Sequence, residues 1–174
     1  MIVIAIAVAA LVWLLFIKDG GDDPQSDKAA ASKSVEVVSA DRLLDAIAGA
    51  GYPVYWVGEE PDVSYEVTRI TGDRREFYVR YLPPDAEAET GDPYLTVGSY
   101  QVTDALGVTQ RQADEPGGSS SFPVDGGGIA LPNGTDPRSV YVAYPGIDVQ
   151  IEVYSPEAGE ALELVRSGAL TPIG

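Results

Sequence analysis

Asp62-Val63-Ser64-Tyr65-Glu66-Val67 and Glu76-Phe77-Tyr78-Val79-Arg80-Tyr81, with Thr71-Gly72-Asp73 between them, decide the fold. In both runs the apolar side chains fall on every second residue, the period of a strand with one covered face and one wet face. Val63, Tyr65 and Val67 form one row, opposed by Asp62, Ser64 and Glu66. Phe77, Val79 and Tyr81 form the other, opposed by Glu76, Tyr78 and Arg80. Two antiparallel strands bring their apolar rows to one face only when an odd number of residues joins them. A three-residue loop at Thr71-Gly72-Asp73 meets that parity, so a β-hairpin is expected here.

The same alternation recurs outward along the chain. A short strand, Val54-Tyr55-Trp56-Val57, is expected after Tyr52-Pro53. Another is expected at 94–100, with Leu95 and Val97 inward, and two more at 139–144 and 148–154. In the last, Val149, Ile151 and Val153 alternate with Asp148, Gln150 and Glu152. Helices are fewer. Ser39 caps a short one with Leu43, Leu44 and Ile47 on its apolar face and Gly51 at its end. Residues 102–113 fit a second, weakened by Gly107. A closing helix has Ser155 as its cap, Pro156 in its first turn, Ala158, Ala161, Leu162 and Val165 as its stripe, and Gly168 as its stop. The expected fold class is therefore α+β: one domain over 35–174, with a mainly antiparallel sheet and two or three short helices. Residues 54–67, VYWVGEEPDVSYEV, align without gaps on 140–153, VYVAYPGIDVQIEV. A duplicated hairpin or a chance match of Val/Tyr-rich strands both account for it. The stretch 114–128 reads as a surface loop, with Phe122 and Pro123 as its sticky point.

Residues 1–17, MIVIAIAVAALVWLLFI, carry no polar side chain. As a helix they span roughly 25 Å, near the lower limit for crossing a bilayer, and Trp13, Phe16 and Lys18 suit its interface. An N-terminal transmembrane helix that engages membrane lipid is expected. A cleaved signal peptide is the competing reading, but it lacks a basic start, and Ala29-Ala30-Ala31 lies far beyond Ile17. Residues 18–34 are polar and small, the composition of a flexible tether. Lys18, Lys28 and Lys33 taken literally place the domain in the cytoplasm. A tethered, acidic, cysteine-free domain suits the extracytoplasmic side of the cell envelope, and that side is expected.

With no Cys and no His, the chain excludes thiol nucleophiles, disulfides, histidine-assisted triads and the usual zinc and haem ligands. Its 174 residues hold 27 acidic and 11 basic side chains, a net charge of −16 that argues against nucleic acid. Residues 35–174 contain 8 Arg and no Lys, so cationic envelope proteins or polyols are better partners than anions. No cofactor is expected. Asp85, Glu87, Glu89 and Asp92 form one acidic loop and Glu59, Glu60 and Asp62 another. Neither has the spacing of a calcium loop, so no metal site is expected. Tyrosines suit half-buried sheet surfaces and also make binding platforms. Tyr55, Trp56 and Tyr144 are the expected partner-binding residues. Glu66 and Glu152 are the candidates for a hydrolase-type carboxylate pair. Both alternate onto polar faces, where nothing predicts the raised pKa of a general acid. Ser119-Ser120-Ser121 has no His or Lys base within its domain, so no catalytic residue is expected.

Pro53-Val54-Tyr55-Trp56-Val57-Gly58, with Tyr65-Glu66-Val67-Thr68-Arg69 and Tyr78-Val79-Arg80-Tyr81-Leu82-Pro83, resembles a group of uncharacterised bacterial membrane-anchored proteins. The likeness extends over most of 50–170. It implies an anchored envelope domain and supplies no site residues. The function expected is a membrane-anchored extracytoplasmic binding or interaction domain. An accessory subunit of a membrane complex acting through the apolar helix is the alternative, and a carboxylate-dependent hydrolase the second alternative.

Overall fold

The computed structural model describes residues 32–116, 119–133 and 138–174. The expected membrane segment and all but the last residues of the expected tether lie outside them. Among the described residues no helix is long and apolar enough to cross a membrane. The fold is α+β. Eight strands form one antiparallel sheet: β1 (Ser32–Val38), β3 (Ser64–Thr71), β4 (Glu76–Leu82), β5 (Thr96–Gln101), β6 (Phe122–Val124), β7 (Gly128–Pro132), β8 (Ser139–Ala143) and β9 (Val149–Tyr154). Their order is β1-β3-β4-β5-β9-β8-β7-β6. A separate two-stranded sheet pairs β2 (Tyr55–Trp56) with β10 (Thr171–Pro172). The helices are α1 (Leu43–Ala46), α2 (Ala105–Ala113) and α3 (Glu160–Arg166).

The hairpin forms with the expected parity but a longer connection. Ile70 and Glu76 are its last pair, so five residues separate them instead of three. The shift sets Val67 opposite Val79 and Tyr65 opposite Tyr81. The two tyrosine rings then meet edge to face at 5.0 Å, a geometry that adds to burial. Tyr65, Val67, Phe77, Val79, Val97, Val140, Val142, Ile151 and Val153 build the core on one face of the sheet. The 40–51 segment, the β2–β10 pair and α3 cover it.

The other face is covered too, which alternation alone did not anticipate. Helix α2 packs on β7, β8 and β9, and the 83–95 loop lies over β3 and β4. Glu66 and Glu152, expected on wet faces, are 4% and 2% exposed.

Further corrections follow from tertiary pairing. Ser32, Lys33 and Ser34, expected in the tether, belong to β1 and pair with Thr71, Ile70 and Arg69. The expected loop at 114–128 contains β6 and enters β7, with Gly126 and Gly127 turning at positive φ between them. The first helix opens as a 3-10 turn at Ala40–Arg42, and Leu44, expected in its apolar stripe, is 55% exposed. The closing helix starts at Glu160 because Gly159 interrupts the chain at φ 89°. Ser155 caps the turn before it, accepting from the Glu157 N–H at 3.0 Å and donating to the Glu160 carboxylate. The 54–67 and 140–153 segments are not equivalent hairpins. β8 and β9 pair with each other, whereas β2 pairs with β10 and leaves β3 to β1 and β4.

Candidate functional site

Two features stand out: a surface cleft on the core side of the sheet, and a buried polar layer on the other.

The cleft has a volume of about 530 Å³. Phe122, Val124 and Asp125, from β6 and its turn, line it together with Arg166 and Leu170, at and after the end of α3, and with β10. Tyr55 and Tyr144 also line it, stacked with ring centroids 5.8 Å apart and an interplanar angle of 11°. The backbone of β7 also packs closely on Tyr144. Gly128 has no room for a Cβ, which would sit 2.6 Å from Cδ1 of Tyr144 and 2.7 Å from the Ala143 carbonyl. One face of the Tyr144 ring is therefore covered by Tyr55, and the Gly128 backbone fits closely against its Cδ1–Cε1 side. Burial raises the pKa of both tyrosines, with Asp125 contributing at Tyr144 and Tyr144 at Tyr55, so both hydroxyls stay protonated donors. The Arg166 guanidinium lies 5.1 Å from the Phe122 ring centroid, an attractive cation–π placement.

Of the three expected binding residues, the cleft brings together Tyr55 and Tyr144. Trp56 does not line it and packs edge-on against Tyr65 at 5.9 Å. Phe122 and Pro123, the expected sticky point, do line it. Asp125 and Arg166 were missed, because only the fold carries the end of α3 to the β6 turn. One carboxylate, one guanidinium and two phenols can orient a ligand by hydrogen bonding and charge.

The buried layer holds the carboxylates considered for hydrolysis. Glu66 pairs with Arg80 at 3.2 Å and accepts the Glu89 backbone N–H. Arg80 donates to the Thr90 carbonyl at 3.1 Å and to Thr90 Oγ1 at 2.9 Å, with Tyr94 beside its guanidinium. Glu152 accepts from Tyr100 at 2.7 Å, from Ser139 at 2.8 Å, and from Tyr141. Gln150 donates to Thr109 and Gln112 of α2. β3 and β9 are three strands apart, roughly 14 Å at the usual spacing. That exceeds the reach of either glycosidase geometry. Among the described residues no three acidic side chains converge to hold a metal. In the 83–95 loop, the Glu89 carboxylate is taken up by Lys33 at 3.2 Å.

Burial pushes the Glu152 carboxyl above its ordinary 4.5, while its three hydroxyl donors pull it down. The folded state thus holds this proton more tightly than the unfolded chain. The resulting stability is fully present below the ordinary value and is lost as pH rises through the folded one. Glu152→Gln stays neutral, so the stability difference, wild type minus variant, is expected to fall with pH above 4.5. The slope cannot exceed about 1.4 kcal/mol per pH unit. Urea unfolding of both proteins from pH 4 to 8 checks this. Glu60 is also raised, first by burial and then by Glu160, but it is common to both proteins and cancels. A pH-independent difference would mean that Glu152 ionises as readily in the fold as in water.

Comparison with known proteins finds no matching family model, no matching curated protein and no matching solved structure.

Proposed function

We propose that this chain is a membrane-anchored extracytoplasmic binding domain whose ligand seats in the cleft between β6 and β10. The cleft carries the reading: its size falls within the range of ligand sites, and it combines an apolar lining with a few convergent polar groups. Residues 1–17 support the anchor, since an uninterrupted apolar run of that length suits lipid. A net charge of −16 favours cationic peptides or uncharged polyols over anionic ligands. Both buried glutamates have partners in the fold and lie too far apart to work as a pair, so neither supports a hydrolase.

The test uses the full chain in lipid nanodiscs, titrated with a panel of cationic peptides and neutral oligosaccharides. One of these classes is expected to bind. Tyr144→Ala and Phe122→Ala are each expected to weaken it about tenfold, the loss typical of a central contact. If no member of the panel binds, or both variants bind like wild type, the cleft is not the site. The apolar run also favours the accessory-subunit reading. Exchanging 1–17 for an unrelated membrane span separates the two: partners that vanish belong to the helix, and partners that remain belong to the domain.

A further inference from the structure

The two ends of the large sheet are built differently. β6, at one end, is three residues long and has Pro123 in its middle, a residue without an N–H that blunts an edge against further pairing. β1, at the other end, is seven residues long and contains no proline. Among the described residues no strand pairs with its outer side, and a long strand with an open row of backbone donors and acceptors is a template for another strand. The apolar surface agrees. Among the described residues the large apolar side chains left exposed are Val37, at 47%, and Leu44, at 55%. Val37 lies on β1, and Leu44 lies in α1, which packs beside β1. Both therefore flank the unblocked edge, one on each face of the sheet.

We propose that β1 is a self-association edge, where a second copy of this chain adds its own β1 antiparallel and extends the sheet across a two-fold axis. Three observations favour a second copy over a foreign strand. The sequence Ser32-Lys33-Ser34-Val35-Glu36-Val37-Val38 is compatible with its own reverse. Centred on Val35, the pair sets Val35 against Val35 and Lys33 against Val37, all on one face, and Ser34 against Glu36 on the other. Beside the edge Lys33 is paired with Glu89 at 3.2 Å and Arg42 with Asp45 at 3.3 Å within each copy, and in this register each Glu36 stands opposite Ser34 rather than opposite the other Glu36. Two copies thus meet without a block of like charge, whereas Glu157, Glu160 and Glu163 lie in and before α3, which packs on β8 and β9 in the other half of the sheet. Finally, residues 1–31 lead directly into β1. On the anchored reading above, two copies in one membrane hold their β1 strands at the same depth and within reach.

The absence of cysteine makes the test direct. Single cysteines are placed in the full chain at positions 33–37 in turn, and Val124→Cys marks the opposite edge. Membranes containing each variant are oxidised and run on non-reducing gels. Directly opposed residues in an antiparallel pair have Cα atoms about 4.5–5.5 Å apart, within the span of a disulfide. A covalent dimer is expected at one or more β1 positions, strongest at Val35→Cys, and at least fivefold above Val124→Cys. Adding Leu44→Asp, which removes an exposed side chain, is expected to reduce that band severalfold. No band above the Val124→Cys level at any β1 position overturns the proposal, as does a dimer insensitive to Leu44→Asp. A heavier adduct at β1 with another protein also overturns it, since a foreign strand then holds the edge. Fractionation of the same cells reads the anchor independently: dimers in the soluble fraction support the edge and sink the anchored reading.

Discussion

Replacing Arg80 with alanine is expected to cost about 3–5 kcal/mol of stability, the usual result of stripping one partner from a buried ion pair. Glu66 would keep its carboxylate under the 83–95 loop and lose the guanidinium 3.2 Å away. The same guanidinium ties Thr90 through two hydrogen bonds and lies 5.1 Å from the Tyr94 ring centroid. The loop is therefore expected to loosen along with the pair. Urea unfolding followed by near-ultraviolet circular dichroism gives the first quantity, and amide exchange over 83–95 gives the second. Arg80→Leu combined with Glu66→Leu is expected to recover much of the loss, because an apolar pair leaves no orphaned charge. A double variant as unstable as Arg80→Ala would show that packing of the long Arg80 stem, not its charge, holds the loop.

Gly98→Ala is expected to be nearly as damaging. The Tyr100 ring lies back along its own strand over Gly98 to reach Glu152. A Cβ at position 98 would fall 2.5 Å from the Tyr100 hydroxyl and 2.7 Å from its Cζ. The ring must move, and Glu152 then loses a 2.7 Å donor inside the fold. Overpacking costs about 1–3 kcal/mol and a buried acceptor left short of a partner about 1–3 more. Tyr100→Ala opens the space that the new methyl needs. The double variant Gly98→Ala with Tyr100→Ala is therefore expected to be more stable than the sum of the two single losses. Strict additivity in a thermal or urea series would refute the steric account.

Much of the core was legible because period two is a strong signal where one face is apolar. Tyr65, Val67, Val79, Val97, Ile151 and Val153 lie where alternation placed them. What failed was the inference from polar to wet. Glu66, Gln150 and Glu152 alternate like solvent-facing residues, yet α2 and the 83–95 loop roof them over. No local pattern records that roof, because its partners come from distant segments. β1 was obscured for a related reason: Ser32-Lys33-Ser34 has tether composition, and pairing with β3 supplies the strand. At the cleft, Tyr55 and Tyr144 were legible as strand aromatics suited to a binding platform. Asp125 and Arg166 were not, since one follows an inconspicuous three-residue strand and the other closes a helix forty residues later.

Apart from β1, which adds to β3 at one edge, the large sheet is two local meanders, β3-β4-β5 and β9-β8-β7-β6, joined by one seam between β5 and β9. Each meander closes short loops, whereas the seam must bring together strands separated in sequence by α2 and three further strands. Loop closure of that kind sets the pace of folding in such topologies. Tyr100 stands on one side of the seam, and Ser139, Tyr141 and Glu152 on the other. The carboxylate thus exchanges water for Tyr100 in the same event that unites the halves. Its proton uptake can serve as a clock for that event: the pH-indicator signal of wild type minus that of Glu152→Gln in stopped-flow refolding, a difference in which Glu60 cancels, would time the joining of the sheet.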